Sequence, residues 1–137
     1  MADMIALLLE DEVLIALDVE HHLAEAGFEV VHVTSCAEAE RYLGDQNPDV
    51  AVIDLKLRDG VCHSVAHTLA DRSIPFIVHS GNNEFDDNPE HQIFAKGSWV
   101  PKPSEMADLA ATAMSLVQQR DLKRVLDSRR RERFRST

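Results

Sequence analysis

Four apolar residues, Val50-Ala51-Val52-Ile53, run directly into an acid, Asp54, and the chain then turns at Asp59-Gly60. Three of the four are β-branched, so the run predicts a short buried strand. In an open α/β sheet, ligands gather just outside the carboxyl ends of the strands, where Asp54 would stand. A carboxylate there is ionised at neutral pH and can act as a nucleophile without a partner base. This placement of one acid constrains the rest of the chain more than any total does.

The remaining strands and helices alternate. Met4 to Leu9 is apolar without alternation, as expected of a strand covered on both faces, and it stops at Glu10-Asp11-Glu12. Val13 to Ala26 predicts a helix, its stripe made by residues 13, 14, 17, 23 and 24 and its stop by Gly27. Glu29 to Val33 predicts a strand. Ser35 with Glu38 has capping-box spacing for a helix to about Leu43. After the Asn47-Pro48-Asp49 turn and the Asp54 strand, Val61 to Ala70 reads as a helix with Val61, Val65, Ala66 and Leu69 on one face. Pro75 to Gly81 is a further buried strand. Residues 82–97 suit only a short or irregular helix. Ser98 to Pro101 gives a fifth strand before Lys102-Pro103-Ser104. A last helix places Leu109, Ala113, Leu116 and Val117 at helical spacing and extends towards Leu122, Val125 and Leu126. Five strands alternating with five helices imply an α/β fold, doubly wound, with a parallel sheet and helices on both faces.

At 137 residues the chain is long enough for one domain with a real core. The net charge of −10 is unevenly spread: residues 120–137 hold eight Lys/Arg against three Asp/Glu, leaving −15 for residues 1–119. An acidic body argues against nucleic acid as a partner. The basic run from Arg129 to Arg135 reads first as a solvated helix end whose cations offset the helix dipole. No apolar run approaches a membrane span, and the first residues lack a signal-peptide pattern, so a cytoplasmic protein is expected. Cys36 and Cys62 have no metal-type spacing and read as reduced thiols rather than a disulfide. His63 and His67 stand at i, i+4 with no obvious acidic or thiol partner, so surface histidines are expected; His79 reads as a satisfied core residue.

Four polar features fall at the carboxyl ends of four predicted strands: Glu10-Asp11, Asp54, Ser80 and Lys102. Clustered carboxylates repel unless a cation intervenes, and hard oxygen ligands shared with a phosphoryl group favour Mg²⁺. A hydroxyl and an ammonium opposite them suit phosphoryl oxygens, and phosphoryl transfer asks mainly for positioning and charge neutralisation. No glycine-rich phosphate loop is present. A haloacid-dehalogenase-like phosphatase would want a second Asp where Lys56 stands.

On Glu10-Asp11, Val52-Ile53-Asp54-Leu55, Ser80-Gly81 and Trp99-Val100-Pro101-Lys102-Pro103, the sequence resembles the receiver domain of two-component response regulators over residues 3–119, with 120–137 as a basic C-terminal extension. The resemblance implies a flavodoxin-like strand order 2-1-3-4-5. It implies Asp54 as phosphoacceptor from a phosphohistidine of a kinase or phosphotransfer protein. Mg²⁺ would be held by Asp11, Asp54 and the Lys56 backbone carbonyl, with Glu10 acting through water. Lys102 and Ser80 would bind the phosphoryl group, Ser80 and Trp99 would form the switch, and Lys56 and Asn82 would tune dephosphorylation. A downstream effector protein is implied, and the last helix offers a homodimer contact. A pseudo-receiver acting as a phosphorylation-independent adaptor, or a small Mg²⁺-dependent phosphohydrolase, are the other readings. Arg58 and Cys62 depart from the family's usual proline and glycine in the loop after Asp54.

Overall fold

The computed structural model describes residues 4–80, 89–102 and 106–135. Five strands form one parallel sheet: β1 (Met4–Leu9), β2 (Phe28–Val33), β3 (Val50–Asp54), β4 (Phe76–Ser80) and β5 (Ser98–Pro101). Their spatial order is β2-β1-β3-β4-β5, the order expected. Every residue of β3 and β4 is buried, which explains why their sequences show no alternation.

The helices cover both faces. Helices α1 (Val13–Glu25) and α4 (Met106–Arg135) lie on one, where Ala16, Val19, Leu23, Leu109, Ala113 and Val117 meet Ala6, Leu8, Val50, Val52 and Ile77. Helices α2 (Cys36–Leu43) and α3 (His63–Asp71), with a 3-10 segment Pro89–Lys96, cover the other, where Leu43, Val65, Leu69 and Phe94 pack on Leu7, Leu9, Ile53 and Val78. Neighbouring strand residues thus feed opposite cores, as the period of two requires. Gly97 is required by close packing, because a Cβ there would lie 2.5 Å from the Phe76 ring.

Several expectations need correction. The helix expected to be short or irregular within 82–97 is, over its described part, the 3-10 segment Pro89–Lys96, and needs no correction. The buried stripe of α1 is Ala16, Val19 and Leu23; Val13, Leu14 and Leu17 are exposed, at 64%, 82% and 58%. Helix α3 begins at His63, two residues late, because Val61 and Cys62 belong to the loop. Ser35 caps α2 by accepting the Glu38 N–H at 3.1 Å, but Glu38 turns to the Thr34 hydroxyl at 3.0 Å rather than completing the box.

Cys36 and Cys62 form a disulfide, with Cα atoms 5.4 Å apart, contrary to the expectation of free thiols. Their sequence separation of 26 hides the proximity, which arises where α2 starts beside the loop leaving β3. His79 is a core residue, but its Nε2 has no hydrogen-bond partner among the described residues, so it is not satisfied there. His63 is not a surface residue: it is half-buried, its Nε2 is likewise unpartnered, and its ring stacks on His91 at 4.9 Å.

Helix α4 is anchored by Arg120, whose guanidinium meets the Asp49 carboxylate at 3.1 Å and the Asp49 carbonyl at 3.0 Å. From Asp121 to Arg133 every residue is exposed, and the helix continues without interruption. No described helix is long and apolar enough to cross a membrane.

Candidate functional site

The strand order reverses between β1 and β3, since the chain leaves β1 for β2 and returns to β3 on its other side. Glu10 and Asp11 follow β1 and Asp54 ends β3, so the acids meet at the switch point, where side chains of diverging loops leave a crevice. One oxygen from each of Glu10, Asp11 and Asp54 lies within 4.8 Å of the others.

The backbone fixes each acid. The Glu10 N–H extends the sheet ladder by donating to the Val33 carbonyl at 3.1 Å, and His32 Nε2 donates to the Glu10 carbonyl at 2.7 Å. Glu10 Oε2 accepts the Glu12 N–H at 3.3 Å. Asp54 Oδ1 accepts the Lys56 N–H at 3.2 Å, which turns the chain over the carboxylate. The Asp11 carboxylate makes neither hydrogen bond nor ion pair among the described residues and is half-buried, leaving its oxygens open to a ligand.

Lys102 follows β5, and its N–H donates to the Ser80 carbonyl at 2.8 Å. Its ammonium bridges the acids, 2.8 Å from Glu10 Oε1 and 3.2 Å from Asp54 Oδ2. The shorter contact is to Glu10, whose side chain is 2% exposed, against 12% for Asp54. Burial raises the Glu10 carboxyl above its ordinary value; Lys102 pulls it back, and Asp54 pushes it up again. Burial would lower the Lys102 ammonium, but the Glu10 hydrogen bond and the Asp54 charge outweigh that and raise it. His79, opposite Asp54 in the β3–β4 register, is pushed down to about 4 by burial and by Lys102, against the pull of Asp54. It is therefore neutral at pH 7, and Lys102 is the cation of the site.

This donor set fits a small hard cation. Three carboxylates on one compensating ammonium leave the site rich in oxygen ligands, those of Glu10, Asp11 and Asp54. The structure therefore brings Glu10, Asp11, Asp54 and Lys102 together. Ser80 is buried at the end of β4, one residue beyond the partner of Asp54. Trp99 is half-buried on β5, and its indole N–H donates to the Phe94 carbonyl at 3.0 Å, tying the ring to the 3-10 segment. Lys56 is exposed. Asn82 lies outside the described residues, as do Gly81 and Pro103.

Sequence reasoning missed the supports. Asp59 was visible only as a turn residue, yet its carboxylate accepts the N–H groups of Cys36 and Ala37 at 2.9 and 3.2 Å. Those amides hold the Asp59 carboxyl below its ordinary value. His32 gave no signal beyond its place near the end of a strand.

No protein-family model matches the chain. Among curated proteins, it is 28% identical over 116 residues to the transcriptional regulatory protein PrrA of Mycobacterium bovis, covering 83% of this chain and 50% of that one. It is 26% identical over 113 residues to the transcriptional regulatory protein PhoP of Escherichia coli, covering 81% and 51%. The chain thus spans about half the length of the curated relatives it matches. Among solved structures, a CheY-like response regulator receiver domain from Methanospirillum hungatei superposes with a TM-score of 0.76 at 18% identity, over 89% of this chain and 99% of that one. The receiver domain of a sensor histidine kinase from Pseudomonas aeruginosa, solved with a magnesium ion in its active-site cleft, superposes with a TM-score of 0.70 at 21% identity, over 85% and 99%. Sequence relatives and fold neighbours agree on one architecture: the chain has the fold of response regulator receiver domains and is similar in sequence to about half of two transcriptional regulatory proteins.

Proposed function

We propose that the domain accepts a phosphoryl group on Asp54 from a phosphohistidine of a partner kinase or phosphotransfer protein. The observation that carries this reading is the Lys102 ammonium seated between Glu10 and Asp54, with Asp11 open beside them. An Asp54 oxygen attacks phosphorus, the P–O bond forms, and the P–N bond breaks, returning the electron pair to the donor imidazole. Lys102 neutralises charge as it builds on the transferred oxygens. Bound at Asp11, Asp54 and the Lys56 carbonyl, with Glu10 acting through water, Mg²⁺ would supply the remaining positive charge.

Ser80 offers its hydroxyl to the incoming group from the neighbouring strand. Its movement and that of Trp99 carry the change to the surface of β5, the 3-10 segment and α4. The exposed trio Val13, Leu14 and Leu17, directly after the acids, offers an apolar seat for the phosphodonor. Lys56 and Asn82 set the phosphoryl lifetime; an unchanged dephosphorylation rate when both are replaced would contradict that role. A downstream effector protein reads the changed surface, and the domain is not itself a turnover enzyme.

Trp99 is the only tryptophan, so its fluorescence reports the site. It is expected to change with millimolar Mg²⁺ and again with beryllofluoride or acetyl phosphate, the second response being lost in Asp54→Asn. Silence at every step favours a phosphorylation-independent adaptor instead.

A further inference from the structure

The loop from Leu55 to Cys62 begins at the phosphoacceptor and is tied down three times. Leu57 and Gly60 exchange backbone hydrogen bonds, each 3.0 Å, around the Asp59-Gly60 turn, where Gly60 adopts a φ of +118°. The Asp59 carboxylate holds the first two amides of α2, from Cys36 and Ala37. The Cys36–Cys62 bridge then joins the start of that same helix to the end of the loop. The Asp59 tie is polar and exposed, so water competes with it. Beside the packing of Leu57 and Cys62 in the core, the covalent tie is the one restraint between loop and α2 that water cannot displace.

We propose that Cys36 and Cys62 form a reversible thiol-modification site, opened at Cys36 by a small thiol or dithiol, whose opening frees the loop beside Asp54. Cys36 is half-buried at the first position of α2, whereas Cys62 is 2% exposed. Attack therefore falls on Cys36 Sγ. The reagent thiolate forms a new S–S bond there, the Cys36–Cys62 bond breaks, and Cys62 leaves as a thiolate that takes a proton from solvent. A second thiolate then displaces Cys36. The protein gains two electrons and two protons as two thiols, and the reagent becomes its disulfide. Reclosure is intramolecular: both thiols stay on one chain and meet again whenever the Asp59 hydrogen bonds to Cys36 and Ala37 re-form.

The loop carries the Lys56 carbonyl and the Lys56 N–H that holds Asp54 Oδ1 at 3.2 Å, so its freedom acts on the acid site. This consequence for metal binding rests on the phosphoacceptor reading; the thiol chemistry and the loop release do not.

The full chain, as isolated, is treated with dithiothreitol, alkylated and weighed intact, with circular dichroism recorded in parallel. Two alkyl groups are expected after reduction and none before, with secondary structure kept, and reversal by oxidised dithiothreitol. Hydrogen exchange is expected to rise severalfold in residues 55–62 and at Cys36 and Ala37, while residues 50–53 and 76–78 stay protected. The double variant Cys36→Ser/Cys62→Ser is expected to show the open pattern without reagent. Reduction only on loss of the fold, or equal exchange of the loop in both forms, would overturn the proposal. Mg²⁺ titrated against Trp99 fluorescence is expected to bind the reduced form severalfold more weakly, and equal affinity would sever the loop from the metal. No Mg²⁺ response in either form would strike the phosphoacceptor reading and leave the exchange result standing.

Discussion

The rim of the sheet and the outer half of α4 place charge in opposite settings. At the rim, Glu10, Asp54 and Lys102 are held within hydrogen-bonding distance with little water around them. Beyond Arg120, the helix carries Lys123, Arg124 and the arginines from 129 onwards on a shaft whose described side chains are all exposed. Exposed Leu122, Val125 and Leu126 share that shaft without a covering element among the described residues. Desolvated charges interact strongly and cannot be removed singly without cost, whereas solvated charges are nearly independent of one another. The first region couples its charges to one another, and the second holds its charges in solvent.

The largest effect that sharpens this contrast comes from Lys102→Met. It leaves two buried carboxylates facing one another and is expected to cost about 3 kcal/mol near neutral pH, read from urea unfolding. Lys102 has a raised value in the fold, so its contribution is fully present below the ordinary 10.5 and is lost as pH rises through the folded value. The deficit of the variant should shrink in acid, as Glu10 takes a proton. A cost no larger than that of an exposed lysine would contradict the paired rim.

A smaller effect belongs to His79. Its folded value of about 4 lies below the ordinary 6.5, so between those limits the unfolded chain binds the extra proton. Stability is expected to fall by about 2 kcal/mol as pH drops from about 6.5 to about 5, and to be flat above that window. Glu10, raised from 4.5, works in the opposite sense, so the comparison is with His79→Leu. That variant should lose the acid-side slope; an unchanged slope would show that another group produces it.

The smallest effect is on α4. Replacing Leu122, Val125 and Leu126 together by Ser is expected to change domain stability by less than about 0.5 kcal/mol per site, as for exposed positions elsewhere. A homodimer through this helix would appear as a concentration-dependent loss of stability in the triple variant.

Much of this architecture was legible in the chain. Strands β1, β3 and β4 announced themselves because burial on both faces leaves runs without alternation, and Asp54 stood out because it ends such a run. The strand order came from the family resemblance, since alternation alone does not fix which strands are neighbours. The orientation of α1 was misread because Ala16, a small residue, faces the core while Leu14 faces solvent. Nothing in a separation of 26 residues shows that α2 starts beside the loop after β3, so the disulfide and the Asp59 tie were illegible. The stacking of His63 on His91 was hidden for the same reason: it joins elements distant in sequence.

On the proposed reading, one oxygen of Asp54 carries a transferable phosphoryl group. Incubation with a phosphohistidine donor or acetyl phosphate and Mg²⁺, followed by intact mass measurement, tests it directly. The account predicts a single added phosphoryl mass, stable in acid, labile in base and absent from Asp54→Asn. A persistent lack of that adduct in the wild-type domain, or its survival in Asp54→Asn, would contradict it.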